Sequence, residues 1–509
     1  MEEQQLHKIR DRLYKDLPFY AENLLKIRPK KGGLIPFVLN RPQRYVHEQL
    51  EKQLKETGKV RALIPKARQE GISTYVGARF YHKTTHSFGI KAYILSHQKD
   101  TTEELFNMVD TYHSSIPPMF QAKASTDNTK ELVFADLEKS GYRVGTAGGE
   151  GTMGRGMTIQ LLHGSEVAKW KNEAEIMSGI MEAVPDCDGS EIILESTGDG
   201  IDNMFHRMCM DAVEGKNEYQ VIFIPWFWME EYYMDTREDF SLSTDEQKYM
   251  KLYELNEGQM AWRRNKIAKL GESKFSQEYP AIISECFQIA STESLIGSDD
   301  VMAARRTNIQ EKDRHSAKVL GVDPARHGGD RTAMIWRVGR TLVKKEVFTN
   351  DDLMGVVGKV VMAIREDDLD KVFLDVGGLG WGIYDRLREI LGKDSGIIIG
   401  VNAGEKALDK EKYFNKRAEM WGEMNDWIKS APCDLLDDDE LMMDLTCPGY
   451  TWDSNGRLKL ESKDDIRKKG RKSPDLGDAL ALTFSFPVNK VTRSQFYGTT
   501  DSNKGNMYV

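Results

Sequence analysis

Residues Val60 to Tyr81 leave the chain few choices. Val60-Arg61-Ala62-Leu63-Ile64 is a short apolar run of the kind that forms a buried strand, and Tyr75 to Tyr81 reads as the first turns of a helix. Between them lies Lys66-Ala67-Arg68-Gln69-Glu70-Gly71-Ile72-Ser73-Thr74. A strand, a tight turn holding one Gly, and Ser-Thr opening a helix is the layout of a phosphate-binding loop. Backbone N–H groups at the helix start face the anion, and the helix dipole favours negative charge there. On that reading the Ser73 hydroxyl sits on a nucleotide-bound Mg²⁺. The run departs from G-x-x-x-x-G-K-[ST] at two places: Lys66 stands for the first Gly and Ile72 for the Lys. Lys66 and Arg68 are then the cations within the loop, and a guanidinium grips phosphate oxygens in a fork. The same residues also fit an ordinary strand–turn–helix capped by Ser73.

The segments that follow favour the phosphate loop. Lys91 to Ser96 is a second strand candidate, and Glu131 to Phe134 and Gly141 to Thr146 read as strands around a turn. Met157 to His163 reads as a further buried strand that ends in Gly164-Ser165-Glu166. An acid just past the C-terminal end of a strand is where an NTPase places its water-activating group. Glu166 fits that role. Ser165 stands where an Asp usually precedes it, so metal coordination there is expected to be weaker or water-mediated. Glu191 to Gly200 is another strand ending in small polar residues, and the hydroxyls of Ser196 and Thr197 are placed to sense a γ-phosphate. Upstream, Gln43 carries an amide that both donates and accepts, as an adenine edge requires, although on the residues alone a solvent-exposed helix Gln is the favoured reading. Gly145 to Gly156 is a glycine-dense loop with Arg155 as its one guanidinium. Alternating strands and helices to about Trp228 predict one parallel-sheet domain.

A chain of 509 residues is too long for one core and predicts two or three domains. The net charge of −9 argues against general affinity for nucleic acid but leaves room for a local basic channel. No apolar run approaches a membrane span, and the N-terminus lacks the pattern of a signal peptide, so a cytosolic protein is expected. Five cysteines without a C-x-x-C pair speak against a zinc ribbon, a redox motif or a disulfide framework.

The second half carries acids on a different pattern. Residues 229–314 are charged, helical and aromatic-rich, and read as a lid or connecting subdomain with no chemistry of its own. Lys318 to Asp323 is an apolar strand that delivers Asp323. Gly328-Gly329-Asp330 turns the chain, and Ala333 to Val338 and Thr341 to Phe348 complete an antiparallel meander. Lys371 to Asp375 is a strand delivering a second acid. Ser473-Pro474-Asp475-Leu476-Gly477-Asp478 opens a helix on which Asp475 and Asp478 share a face. Acids at these strand, meander, strand and helix positions are the pattern of a ribonuclease H-like metal nuclease. In such a site, two ions about 4 Å apart clamp the attacking and leaving oxygens of a phosphodiester. The basic run Lys463, Arg467, Lys468, Lys469, Arg471, Lys472 beside the last acids suits a DNA backbone or a solvated loop.

Taken together, Lys66 to Thr74, Ser165-Glu166, Ser196-Thr197-Gly198, Asp323, Asp375 and Ser473 to Ala481 resemble the large terminase subunit of tailed double-stranded DNA phages, over about residues 40–485. The resemblance implies an α/β chain: an N-terminal P-loop NTPase (ASCE-type) packaging domain at 36–228 and a C-terminal ribonuclease H-like nuclease domain at 315–488. A helical extension at 1–35 and a flexible tail at 489–509 flank them. It implies ATP and Mg²⁺ or Mn²⁺ as cofactors. Lys66, Arg68, Gln69, Gly71, Ser73, Thr74 and Ser165 would lie at the nucleotide, with Gln43 on the adenine side. Glu166 would be the catalytic acid and Ser196-Thr197 the coupling motif. Arg155 would reach a neighbouring subunit's nucleotide. Asp323, Asp375 and Asp478 would be the metal ligands, with Asp475 beside them. The implied partners are double-stranded viral DNA, a portal protein, a small terminase subunit and further copies of the chain, a pentamer on the procapsid and a monomer in solution. The implied place is the host cell cytoplasm, outside the mature virion. Two other readings fit the same motifs: a DNA-binding nuclease scaffold with an inactive ATPase site, and a repair helicase-nuclease.

Overall fold

The computed structural model describes residues 2–490 other than 129, 148–157, 172, 201–202, 288–293, 310–315, 326–330, 350–352, 379, 431 and 470. The chain divides into two compact units, Met1–Thr292 with Asp464–Lys472, and Glu293–Lys463 with Ser473–Val509. The division at 292/293 falls inside the segment read as a lid.

The first unit is built on a sheet of β1 (Val60–Pro65), β2 (Lys91–Ser96), β3 (Ala124–Asp127), β4 (Glu131–Phe134), β5 (Gly141–Thr146), β6 (Leu161–Ser165), β7 (Glu191–Ser196) and β8 (Gln220–Val221). Their spatial order is β8-β1-β7-β6-β2-β5-β4-β3. Strands β1, β6 and β7 are buried at every residue, as expected of parallel strands covered on both faces. The strand that feeds the loop, β1, is separated from β6 by β7, and all three run parallel. An extra strand between the phosphate-loop strand and the acid-bearing strand is the ASCE-type order. The sheet is mixed rather than wholly parallel, because β4 pairs antiparallel with both β3 and β5. No helix among the described residues is long and apolar enough to cross a membrane.

The helix Ile72–His86 lies against this sheet and buries polar groups as well as apolar ones. Arg79 donates through Nε and Nη2 to the two carboxylate oxygens of Glu191 at 2.8 and 2.9 Å, and Lys83 approaches the same carboxylate at 2.7 Å. Both Arg79 and Glu191 are fully buried. Burial pushes the Glu191 carboxyl up, but the Arg79 and Lys83 charges outweigh it and hold it at about 2. Removing one partner of such a pair strands a charge in the core. Arg79→Leu is therefore expected to cost about 3–5 kcal/mol of stability at neutral pH, read by denaturant unfolding. The loss should shrink as pH falls below the ordinary carboxylate range, where Glu191 in the native protein loses its advantage over the unfolded chain.

The aromatic-rich segment is a small core of its own. Trp262 stacks on Trp226 and Tyr232 at centroid distances of 5.2 and 4.3 Å, with Phe275 and Tyr279 packed at their edges. Its aromatic residues are packing groups, not a ligand cage.

The second unit holds β9 (Lys318–Asp323), β10 (Thr332–Val338), β11 (Thr341–Phe348), β12 (Lys371–Asp375) and β13 (Ile398–Val401), in the order β11-β10-β9-β12-β13. Strand β10 runs antiparallel to β9 and β11, while β9, β12 and β13 run parallel to one another. This is the ribonuclease H-like arrangement. The helix Asp475–Leu482 packs across β9. A Cβ on Gly321 would stand 1.9 Å from the Ala479 carbonyl oxygen, so only glycine lets this helix approach so closely.

Candidate active sites

The first site forms at the C-terminal ends of β1, β6 and β7. Gly71 turns the chain with φ +75°, and a Cβ there would stand 2.6 Å from Gln43 Nε2. Gln43 donates to the Gly71 carbonyl at 2.7 Å and accepts from Asn40 N at 2.9 Å, so its amide braces the loop and caps its own helix, Arg41–Thr57. These two bonds leave one N–H and one lone pair of the buried amide unused by them. Ile72 is buried in the core, and Ser73 lies within the first helical turn rather than at the N-cap, which is Gly71.

Of the two loop cations, the structure directs Lys66 inward and Arg68 outward. Lys66 is buried, with Nζ 3.0 Å from Glu195 Oε2 and 3.8 Å from Glu166 Oε1. Arg68 is half exposed and pairs with Glu278 at 3.1 Å, while Tyr232 donates to its carbonyl. The loop is thus held from the side by the aromatic segment, a structural contact. Gln69 is exposed and, like Glu166, adopts positive φ (56° and 53°). Non-glycine residues held there cost of order 1 kcal/mol or more, and cluster at functional sites. Glu166 also meets Lys169 Nζ at 2.8 Å and accepts from Thr197 Oγ1 at 3.4 Å. Ser196 Oγ accepts from Ala168 N at 3.2 Å, so the Ser196-Thr197 pair touches the turn that carries Glu166. Ser165 is buried at the end of β6. Tyr112 donates to the Thr74 carbonyl at 2.9 Å. Arg155 and most of the glycine-dense loop lie outside the described residues.

Glu195 was not singled out from the sequence, yet it sits at the centre of this site. Its Oε1 accepts from Ser73 Oγ at 2.6 Å, and it is fully buried. Burial pushes its carboxyl up, but the Lys66 charge holds it well below the usual range. The signal was present: Glu191-Ile192-Ile193-Leu194-Glu195 is an apolar strand with an acid at each end, and each acid requires an internal cation.

The second site forms where β9 and β12 end side by side. Val322 pairs with Leu374, which places Asp323 and Asp375 on adjacent parallel strands at the same level. Asp478 comes in from the helix Asp475–Leu482. Lys463 Nζ bridges Asp323 Oδ2 at 3.1 Å and Asp478 Oδ2 at 3.0 Å. Asp478 accepts from Trp421 Nε1 at 2.7 Å and Arg417 Nε at 3.1 Å. Burial, opposed by Lys463 and reinforced by the charges of Asp478, Asp375 and Asp475, pushes Asp323 up to about 7. Burial raises Asp375 as well, against a backbone N–H from Gly377. Asp478 lies low, because Arg417 and Lys463 overcome its burial. Asp475 is half-buried, and its charge is felt at Asp323. Gly328-Gly329-Asp330 lies outside the described residues.

Among the described residues no three acids are spaced to hold an ion as they stand. The Lys463 ammonium lies between two of the carboxylates, as a cation would. Aspartate oxygens are a hard donor set suited to Mg²⁺ or Mn²⁺, so the chemistry of these residues fits such an ion. Lys463, the first member of the basic run, faces the acids. Lys472 pairs with Glu214. Arg417 and Trp421 were also missed. Their mark in the sequence is a helix, Lys416–Ser430, whose buried face carries Lys416, Arg417 and Glu419.

No protein-family model matches the chain, and no curated protein matches it. Among solved structures, the chain is similar to the large terminase of bacteriophage HK97 at 13% identity and a TM-score of 0.40, covering 93% of this chain and 99% of that one. It is similar to the nuclease domain of the large terminase subunit gp2 of bacterial virus Sf6 at 21% identity and a TM-score of 0.34, over 38% of this chain and 99% of that one. The large terminase nuclease from thermophilic phage G20c, solved with bound magnesium, matches at 13% identity and a TM-score of 0.28, over 38% and 97%. The three structures named here are a large terminase matched nearly end to end and two terminase nuclease domains matched over 38% of this chain.

Proposed function

We propose that the chain is a viral DNA-packaging motor. ATP hydrolysis in the first unit drives double-stranded DNA into a procapsid, and a divalent-metal-dependent endonuclease in the second cuts concatemeric DNA. The observation that carries this reading is the presence of two separate anion-handling centres in one polypeptide. One places Lys66 and Glu166 beside a phosphate-type loop on an ASCE-type sheet. The other gathers Asp323, Asp375 and Asp478 at the end of a ribonuclease H-like sheet.

In the first centre the N–H groups of the opening helical turn have no intrahelical partner and face the phosphates. Lys66 supplies the charge that the usual loop lysine would supply, Ser73 and Thr74 would hold a nucleotide-borne Mg²⁺, and Glu166 takes a proton from the attacking water. Thr197, bonded to Glu166, reports the state of the γ-phosphate. In the second centre Asp323, Asp375 and Asp478, with Asp475 nearby, would hold Mg²⁺ or Mn²⁺, whose chemistry is to activate water and stabilise the leaving oxygen. A portal protein, a small terminase subunit and further copies of the chain in a pentameric ring, with Arg155 acting between subunits, complete the reading. Its place is the host cytoplasm.

Filling of purified empty procapsids tests it. DNA should become nuclease-protected only with ATP, and phosphate release should rise with double-stranded DNA. A protein that hydrolyses ATP yet fills no capsids would be a repair enzyme; one that releases no phosphate would be a scaffold. The loop cation is tested separately. Lys66→Ala is expected to lower phosphate release about 10²-fold, the scale of removing one preorganised charge from a transition state. Arg68→Ala, which breaks a half-exposed ion pair, should cost less than about fivefold. Equal losses would return the role to Arg68.

A further inference from the structure

An Asp at the end of β6 would ordinarily orient the loop hydroxyl and the waters of a nucleotide-borne Mg²⁺. Here that position is Ser165, which brings a hydroxyl and no charge. The carboxylate in the site comes instead from the neighbouring strand. Ser165 and Glu195 are direct register partners of β6 and β7, and Glu195 also pairs with Ile64 on β1. The side chain of Glu195 is fully buried and reaches three groups: Ser73 Oγ at 2.6 Å, Lys66 Nζ at 3.0 Å and His163 Nε2 at 3.5 Å. Ser73 is the residue that the loop pattern assigns to the metal, and Lys66 is the cation shared with Glu166. A carboxylate that joins these two is in the place where an ion's water shell needs a hard, charged acceptor.

We propose that Glu195 is a positioning residue that replaces the missing acid at position 165: it orients the Ser73 hydroxyl and the Mg²⁺-bound water, and holds Lys66 back until nucleotide arrives. This rests on the reading of the first unit as an ATPase. Glu195 on β7 also links the metal side of the site directly to Ser196-Thr197, the next residues in the chain.

The test is equilibrium binding of a fluorescent ATP analogue to the full chain, in Mg²⁺ and in EDTA. The native protein should bind more tightly in Mg²⁺. Glu195→Gln should reduce that gain about tenfold or more, the worth of a hydrogen bond to a charged group, while binding in EDTA holds or tightens as Lys66 is released. Glu166→Gln should keep the gain. Adding Ser165→Asp to Glu195→Gln should restore it. A purely structural Glu195 would weaken binding equally with and without Mg²⁺, and that result, or an undiminished gain, overturns the proposal alone. If Glu195→Gln does not fold by circular dichroism, Ser73→Ala carries the same test from the other end of the hydrogen bond, and a full gain there overturns it. A native protein that binds no nucleotide in either condition overturns the ATPase reading, and this proposal with it.

Discussion

Asp323→Ala should abolish cutting of supercoiled plasmid in Mg²⁺ or Mn²⁺, by about 10³-fold or more, while phosphate release stays within about twofold of native. The size follows from what the residue does. Asp323 ends the central strand, lies level with Asp375 on the next strand and shares Lys463 with Asp478. On the proposed reading its loss would remove a ligand from the middle of the set, and an ion that clamps a phosphodiester contributes several kcal/mol to the transition state. A second reading separates loss of the ligand from loss of the fold. Burial and the neighbouring acids push Asp323 up to about 7, above its value in the unfolded chain. The native protein therefore binds more protons than the unfolded chain between the ordinary carboxylate range and about 7, and its stability falls as pH rises through that window. In EDTA, Asp323→Ala should remove that fall and melt no lower than native at pH 8. Unchanged cutting, or cutting lost only because the protein is unfolded, would refute the assignment.

What was legible in the sequence tracks how local each signal is. Apolar runs that end in an acid made β6, β9 and β12 readable, and with them Glu166, Asp323 and Asp375. Asp478 was readable because a Pro and two acids three apart mark a first helical turn. What stayed hidden depends on which strands become neighbours. Glu195 matters because β7 inserts between β1 and β6, an order that no local pattern records. Lys463 reads as one more charge in a basic run, and only the folded chain turns it toward Asp323 and Asp478. Arg68 was the more obvious phosphate partner, because its fork suits the chemistry. The structure spends it on Glu278 and buries Lys66 instead, since the first residue after β1 continues the strand toward the site while the third is already on the outer side of the turn. The parallel sheet was overextended for a similar reason. Past β2, β5 does run parallel to it, while β4 pairs antiparallel with both β3 and β5, and β3, Ala124-Ser125-Thr126-Asp127, is a polar run that does not announce a strand.

Glu166→Ala should leave ATP binding in place and lower phosphate release by about 10²–10⁴-fold, the range lost with a positioned general base. The geometry makes this a clean substitution. Glu166 already sits at φ 53°, so Ala at the same place carries no greater backbone penalty than Glu does. Its departure frees Lys66 from one of two carboxylates and leaves Glu195 to hold it, so the buried charge keeps a partner. Lys169 loses a partly exposed ion pair, which costs little stability, and the buried Thr197 hydroxyl loses a long hydrogen bond of 3.4 Å. Glu166→Gln keeps the size and the Thr197 hydrogen bond but cannot take a proton, so it should be as slow as Ala if the role is chemical, and near native if the role is only packing. Plasmid cutting without ATP should be unaffected in both variants, because the cutting centre has its own acids. Procapsid filling should be lost in both. Phosphate release within about twofold of native in Glu166→Ala would remove the base from the mechanism and leave the loop as a binding element only.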